Sequence, residues 1–169
     1  MLLLGLSLTS CGFHLRGTQG FEVALEQLYV SVPASYGELK RELERTFTQY
    51  DIDVVGLRTA SRYALVINGE RNTRRAVSTT SSISVAEYEL RLEVDIQLTD
   101  RQGADVILPT TLMTERIYTF NRNSLVGSNE EETLLLSEMR SDLVNQIIRR
   151  VDASVRSFES KQVDSDSGS

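Results

Sequence analysis

The strictest pattern in the chain is a two-residue alternation that runs from Ala86 to Leu98. Every even position in this stretch is apolar or tyrosine, and every odd position carries a charged or amide side chain. Successive side chains of a strand point to opposite faces of its sheet, so the pattern predicts a strand with one buried and one hydrated face. At about 3.3 Å per residue, this strand is longer than most.

Three further strands are predicted around this one. Asp100 to Gly103 has the composition of a turn, and the next strand extends from about Val106 to Asn121, so the two long strands form an antiparallel hairpin. Another strand is expected from about Arg62 to Asn68, with a continuation towards position 77. The first strand is expected between Glu22 and Val32.

Two amphipathic helices are predicted from apolar side chains that recur at helical spacing. The first helix extends from about Tyr36 to Tyr50, and the short apolar patch between Asp51 and Ala60 is not assigned to a strand. The second helix extends from about Asn129 to Ser157. The polar residues 159–169 follow it, and we expect them to form a disordered tail.

These elements predict one α+β domain over residues 11–158, with the element order β-α-β-β-β-α. A sheet with one apolar face and helices with one apolar stripe bury those surfaces against each other. We therefore expect a two-layer sandwich in which a four-stranded sheet carries both helices on one face.

The charge and the scarcity of cysteine exclude several classes of protein. The 169 residues have a net charge of -6, which argues against binding to nucleic acid, since such binding depends on basic surface. With one cysteine the chain has no intrachain disulfide. One cysteine and one histidine do not build a Cys/His zinc site without several carboxylates.

The segment before Cys11 has the features of a secretion signal. Its leucine-rich run is far too short to span a bilayer but has the length of a signal-peptide core. Leu8-Thr9-Ser10-Cys11 resembles the lipobox of bacterial lipoproteins, which implies that residues 1–10 are a signal-peptide remnant. Cys11 then becomes an N-acylated, S-diacylglycerol N-terminus. The alternative, a buried cysteine behind a short helix, is disfavoured because so short a segment is a poor helix.

No motif of an enzyme is present. The chain has no G-x-S-x-G elbow, no glycine-rich phosphate loop and no H-E-x-x-H. Its only histidine, His14, lies three residues from the proposed anchor, a poor place for a general base. Glu87, Glu89 and Glu93 share one strand face, which is either a cation site or, in our interpretation, a hydrated or partner-facing surface. We predict no catalytic residue, no metal and no cofactor other than the covalent lipid.

Cys11-Gly12-Phe13-His14-Leu15-Arg16-Gly17 resembles the start of mature lipoproteins of the LptE family, which assemble lipopolysaccharide. A second match is Ala86-Glu87-Tyr88, at the start of the alternating strand. A third is the glutamate-rich entry to the last helix, which ends in Gln146-Ile147-Ile148-Arg149-Arg150. The spacing and the order of the elements agree across nearly the whole chain.

This resemblance implies a function without catalysis. LptE proteins pair with the outer-membrane barrel LptD, lie largely inside its lumen as a plug, help it to assemble and bind lipopolysaccharide. The resemblance implies a lipid anchor in the outer membrane, with the protein facing the periplasm and the barrel lumen. In bacterial lipoproteins an aspartate after the lipidated cysteine commonly favours retention in the inner membrane. Position 12 is glycine, which favours the outer membrane. The family's basic lipopolysaccharide positions have no counterpart, because residues 78–84 and 124–129 contain no Lys or Arg.

Arg74 and Arg75 are our own candidates for contact with lipopolysaccharide. They cluster with Arg71 near a predicted strand end, and arginine pairs geometrically with phosphate. The alternative is a solvated strand end.

Two other functions remain open at this point. One is a lipoprotein that works without a barrel partner and binds lipids of the envelope. An apolar groove in the fold, with no barrel partner, would favour this function. The other is a membrane-anchored hydrolase, which needs a cleft with two convergent carboxylates.

Overall fold

The computed structural model describes residues 25–79, 85–121 and 124–167. Cys11 and His14 lie outside the described residues. The strands and α-helices, in chain order, are β1 (Gln27–Ser31), α1 (Gly37–Gln49), β2 (Asp53–Val55), β3 (Tyr63–Thr79), β4 (Val85–Asp100), β5 (Asp105–Asn121) and α2 (Leu125–Ser167).

The strands form one mixed sheet in the order β2-β1-β3-β4-β5. β1 lies parallel to both β2 and β3, while β3, β4 and β5 form an antiparallel meander. The predicted turn after β4 is present. Its Gly103 adopts a φ of 88°, a conformation that favours glycine, and the Ala104 amide donates to Asp100 Oδ1 over 2.8 Å.

One core lies between the sheet and the helices. The even-numbered side chains of β4 from Leu90 to Leu98 are buried, as the alternation predicts. Against them pack Leu39, Leu43 and Phe47 of α1 and a long apolar stripe of α2. The α+β class and the buried even-numbered face of the long strand are therefore confirmed.

The sheet has five strands, and the prediction of four was wrong. The additional strand is β2, which lies within the apolar patch after α1 and pairs with β1 through Asp53, Val54 and Val55. A strand this short contains too few residues for a two-residue period to be recognised. The observed order is therefore β-α-β-β-β-β-α.

The last helix is longer at both ends than the predicted 129–157. It begins at Leu125, and the buried Ser128 lies inside its first turns, where its hydroxyl accepts a hydrogen bond from the Asn121 amide over 3.0 Å. At the other end α2 continues to Ser167. The expectation of a disordered tail over 159–169 is thus corrected for residues 159–167, which are helical.

The extension of α2 is held by a polar contact with the start of β3. Arg62 donates to Glu159 over 3.0 Å and to Gln162 over 2.9 Å, and the Tyr63 hydroxyl donates to Glu159 over 3.0 Å. Tyr63 itself is only 2% exposed. Burial, and then the hydrogen bond to Glu159, raises the pKa of Tyr63 to about 12.

Replacement of Glu159 by alanine is expected to lower the free energy of unfolding by about 1–3 kcal/mol, because the Tyr63 hydroxyl loses a charged partner. Chemical denaturation followed by circular dichroism measures this loss. The matched control is Glu130→Ala, at an exposed glutamate of the same helix. Equal stability of the two variants would show that the contacts of Glu159 with Arg62 and Tyr63 do not stabilise the fold.

Candidate partner-binding surface

The face of the sheet opposite the helices is the main hydrated surface of β3, β4 and β5. Both helices contribute to the core on the even-numbered side of β4, so its odd-numbered side chains point away from that core. Glu87 is exposed, and Glu89, Glu93 and Asp95 are partly exposed. We call this surface the outer face.

Charges on the outer face are arranged in cross-strand pairs. Arg75 of β3 donates to Glu89 of β4 over 2.7 Å, and Arg91 of β4 donates to Glu115 of β5 over 2.6 Å. Arg71 contacts both Glu93, over 3.2 Å, and Asp95. Opposite charges in directly opposed positions stabilise a sheet modestly.

A glycine accommodates the densest of these contacts. Gly69 lies directly opposite Asp95 in the register, and a Cβ atom there would come within 3.0 Å of Asp95 Oδ2. Asp95 also accepts a hydrogen bond from Thr111 of β5 over 2.6 Å. The carboxylate of Asp95 thus links three strands.

The pairing lowers the pKa of the carboxyl groups involved. The hydrogen bonds from Arg75 hold the pKa of Glu89 below its usual range. Those from Arg71, and then from Thr111, do the same for Asp95. Conversely, the hydrogen bonds to Asp95 and Glu89 raise the pKa values of Arg71 and Arg75.

The pH dependence of stability follows from these shifts. A carboxyl group whose pKa is lowered on folding stabilises the fold at a pH above its unfolded value, about 4, and loses this effect as the pH falls through the folded value. We expect the double variant Arg71→Gln/Arg75→Gln to have a slightly lower thermal midpoint than the wild type at pH 7. The difference should shrink as the pH falls below about 4 and disappear only below the lowered pKa values of Glu89 and Asp95 in the folded wild type, where these carboxyls are protonated.

A thermal melt at a series of pH values measures this difference. Arg149→Gln/Arg150→Gln serves as the control, because these two arginines are exposed on α2. A difference between wild type and the β3 variant that stays constant down to pH 2 or so would exclude the carboxylate pairs as its cause.

The two candidate arginines do not form one site. Consecutive residues of β3 point to opposite faces, so Arg75 lies on the outer face with Glu89 while Arg74 points to the helix side. The Arg74 guanidinium stacks 3.8 Å from the ring centre of Tyr88 and lies 3.6 Å from Glu132 of α2. Each arginine has a carboxylate partner, and the two guanidinium groups lie on opposite faces of β3. The contact of Arg74 and Arg75 with lipopolysaccharide stays a prediction.

The outer face also carries two apolar side chains that sequence analysis did not single out. Met113 and Ile117 of β5 are 50% and 63% exposed and flank Glu115. On β5, the side chains at the even positions Leu112, Thr114 and Tyr118 face the helices. The odd positions Met113 and Ile117 therefore point to the outer face, and this alternation was the available sequence signal.

Neither a metal centre nor a membrane span is formed by the described residues. In residues 25–79, 85–121 and 124–167, no three His, Cys, Asp or Glu side chains are grouped to hold a metal ion. Glu89 and Glu93 of the candidate cation face are instead paired with arginines. Within the same ranges, no helix combines the length and apolar character that crossing a bilayer requires.

Comparison with known proteins identifies the family. A family model for LptE, described as lipopolysaccharide assembly, matches residues 25–151. The LPS-assembly lipoprotein LptE of Yersinia enterocolitica is 30% identical over 155 residues, covering 89% of this chain and 74% of the relative. That of Pectobacterium atrosepticum is 28% identical over 154 residues, covering 89% and 83%.

Solved structures agree with this assignment. The uncharacterized lipoprotein B of Nitrosomonas europaea is similar with a TM-score of 0.72 and 29% identity, over 86% of this chain and 93% of that one. A minor lipoprotein of Acinetobacter baumannii gives a TM-score of 0.64 at 25% identity, over 78% and 93%. The curated relatives are named LPS-assembly lipoproteins, and both solved structures are named lipoproteins. The chain therefore belongs to the LptE family of lipopolysaccharide-assembly lipoproteins.

Proposed function

We propose that this lipoprotein is anchored in the outer membrane through Cys11 and acts with a barrel of the LptD type, as its plug and assembly factor, to deliver lipopolysaccharide to the outer leaflet. The observation that carries the proposal is the outer face, where charged side chains pair with one another above a dry core. A barrel lumen is polar, so a protein that occupies it needs a hydrated surface on a compact domain.

The shape of the sheet supports the same role. β3, β4 and β5 contain 17, 16 and 17 residues. At about 3.3 Å per residue, each is roughly 55 Å long, which exceeds the hydrocarbon thickness of a bilayer. A sheet of this length presents a continuous wall of side chains to a surrounding barrel.

A lipoprotein that binds envelope lipids alone is less well supported. The groove between α1 and α2 has a volume of about 810 Å³, but charged side chains such as Glu38, Arg41, Glu42 and Arg45 line it beside Leu136. Acyl chains bind in predominantly apolar cavities, so this groove does not favour them. Direct binding of lipopolysaccharide remains part of the proposal, without assigned residues.

The experiment that tests the function is purification of the tagged full-length lipoprotein from solubilised outer membranes, with mass spectrometry of the proteins that accompany it. We expect a barrel of the LptD type in a one-to-one ratio. Recovery of the lipoprotein without a barrel, from membranes that contain that barrel, would overturn the assembly role. A tagged, unrelated outer-membrane lipoprotein controls for nonspecific recovery of the barrel.

A further inference from the structure

The two edges of the sheet differ in length. One edge is β2, with three residues, and the other is β5, with 17. Very short edge strands offer little template for pairing, whereas a long edge offers a row of amide and carbonyl groups. Among the described ranges, no strand pairs with the far side of β5.

Most of β5 lacks the features that usually block such an edge. Pro109 and the register shifts opposite Ile96 and Leu98 lie near its beginning. From Thr110 onwards the pairing with β4 continues without interruption to Asn121, and the strand contains no lysine. Proline, bulges and lysine are common means of preventing pairing at an edge. The segment 110–120 is therefore a regular strand edge with which no described strand pairs.

The outer-face side chains of this segment lack apolar neighbours. Met113 lies opposite Glu93 and Ile117 lies opposite Glu89 in the register with β4. Those glutamates are held by Arg71 and Arg75 of β3, so the β4 side offers both apolar residues only charged neighbours. An apolar partner for Met113 and Ile117 would therefore approach from the side of β5 that faces away from β4.

A second copy of the chain is a poor occupant of this edge. An antiparallel pair of β5 strands that sets Met113 opposite Ile117 of the other copy also sets Glu115 opposite Glu115. Like charges in directly opposed positions destabilise a sheet. Glu115 is still 36% exposed beside Arg91, so a cation on an added strand would pair with it favourably.

We infer that the edge of β5 from Thr110 to Phe120 binds an extended segment of the barrel partner by strand addition. In this segment a lysine or arginine lies opposite Glu115, and apolar residues two positions away on either side cover Met113 and Ile117. The inference rests on the proposed function for the identity of the partner. Main-chain hydrogen bonds would provide the affinity and these alternate side chains the specificity.

One acceptor near the middle of the segment is already in use. The Arg116 guanidinium donates to the carbonyl of Glu115 over 2.9 Å and also contacts Asp142 of α2. An added strand either displaces this guanidinium or pairs through the groups on both sides of it. The amide groups of β5 are therefore the better reporters of strand addition.

Hydrogen exchange of the purified complex tests the main-chain part of the inference. We expect alternate amides of residues 110–120 to exchange at least about tenfold more slowly in the complex than in the free lipoprotein, because an added strand hydrogen-bonds them. A contact through side chains alone would leave these rates nearly unchanged. Unchanged rates in an intact complex would overturn the inference and leave the proposed function standing.

A pair of substitutions tests the side-chain part. Met113→Lys/Ile117→Lys should reduce the amount of recovered barrel by roughly tenfold. The two new lysines would lie beside the lysine or arginine that we expect on the added strand, and like charges repel. The control Leu57→Lys/Leu134→Lys makes the same change at residues that are 70% and 60% exposed elsewhere, and it should recover the barrel like the wild type. Equal recovery by all three proteins would contradict strand addition.

The remaining outcomes separate the two proposals. Absence of the barrel from the wild-type preparation overturns the proposed function, and the inference with it. Slowed exchange in residues 110–120 of the free lipoprotein at high concentration, together with a dimeric mass in sedimentation, would assign the edge to a second copy and overturn the commitment to the barrel.

Discussion

Replacement of Phe47 by alanine is expected to lower the free energy of unfolding by about 3–5 kcal/mol. The ring is fully buried in the cluster where α1 packs against the sheet, so its removal leaves a cavity as well as losing apolar burial. The loss is a large share of the roughly 5–15 kcal/mol that stabilises most domains.

Chemical denaturation followed by circular dichroism measures the effect. Phe47→Leu keeps most of the buried volume and should cost much less, while Leu57→Ala alters an exposed side chain and should be nearly neutral. A loss for Phe47→Ala no larger than that for Leu57→Ala would mean that α1 does not pack on the sheet as described.

Replacement of Cys11 by alanine is expected to abolish lipidation completely, because no other thiol is present to carry the diacylglycerol. The wild-type protein should lose residues 1–10 and gain acyl chains, whereas the variant should show neither change in its intact mass. Several acyl chains give a stable anchor, so only the wild type should enter the detergent-rich phase on phase separation. His14→Ala is the control and should be lipidated normally.

An intact mass without acyl chains for the wild type would contradict the anchor itself. Membrane association of the Cys11→Ala variant in cells would not contradict the anchor, because the proposed barrel partner would retain the variant there. The phase separation is therefore performed on lipoprotein freed from the barrel.

The parts of the fold that could be predicted from sequence are those with a long repeated period. The alternation from Ala86 to Leu98 identified β4 and its buried side, and helical spacing identified α1. β2 was missed because three residues contain no measurable period. The ends of the helices were predicted from local polar composition. The observed extent of α2 depends instead on hydrogen bonds from Arg62 to Glu159 and Gln162, about a hundred residues away in sequence.

The candidate surface could be predicted only in part for a related reason. The hydrated side of β4 follows from its own alternation, but the partners of its charges lie on other strands, and cross-strand register is not visible in one segment. Arg74 and Arg75 are neighbours in sequence but lie on opposite faces of β3, a separation that their adjacency does not reveal. The resemblance to a family identified the chain where local patterns did not.

α2 follows the three long strands in the chain, and this order has a kinetic consequence. The meander β3-β4-β5 pairs strands that are close in sequence, but its apolar side is covered largely by α2, and the contact of Glu159 with Arg62 spans 97 residues. Contacts between distant residues form late, since a long loop must first be closed. Secretion from the N-terminus, which the proposed function requires, would keep this sheet uncovered until α2 has emerged, and aggregation is expected in that interval.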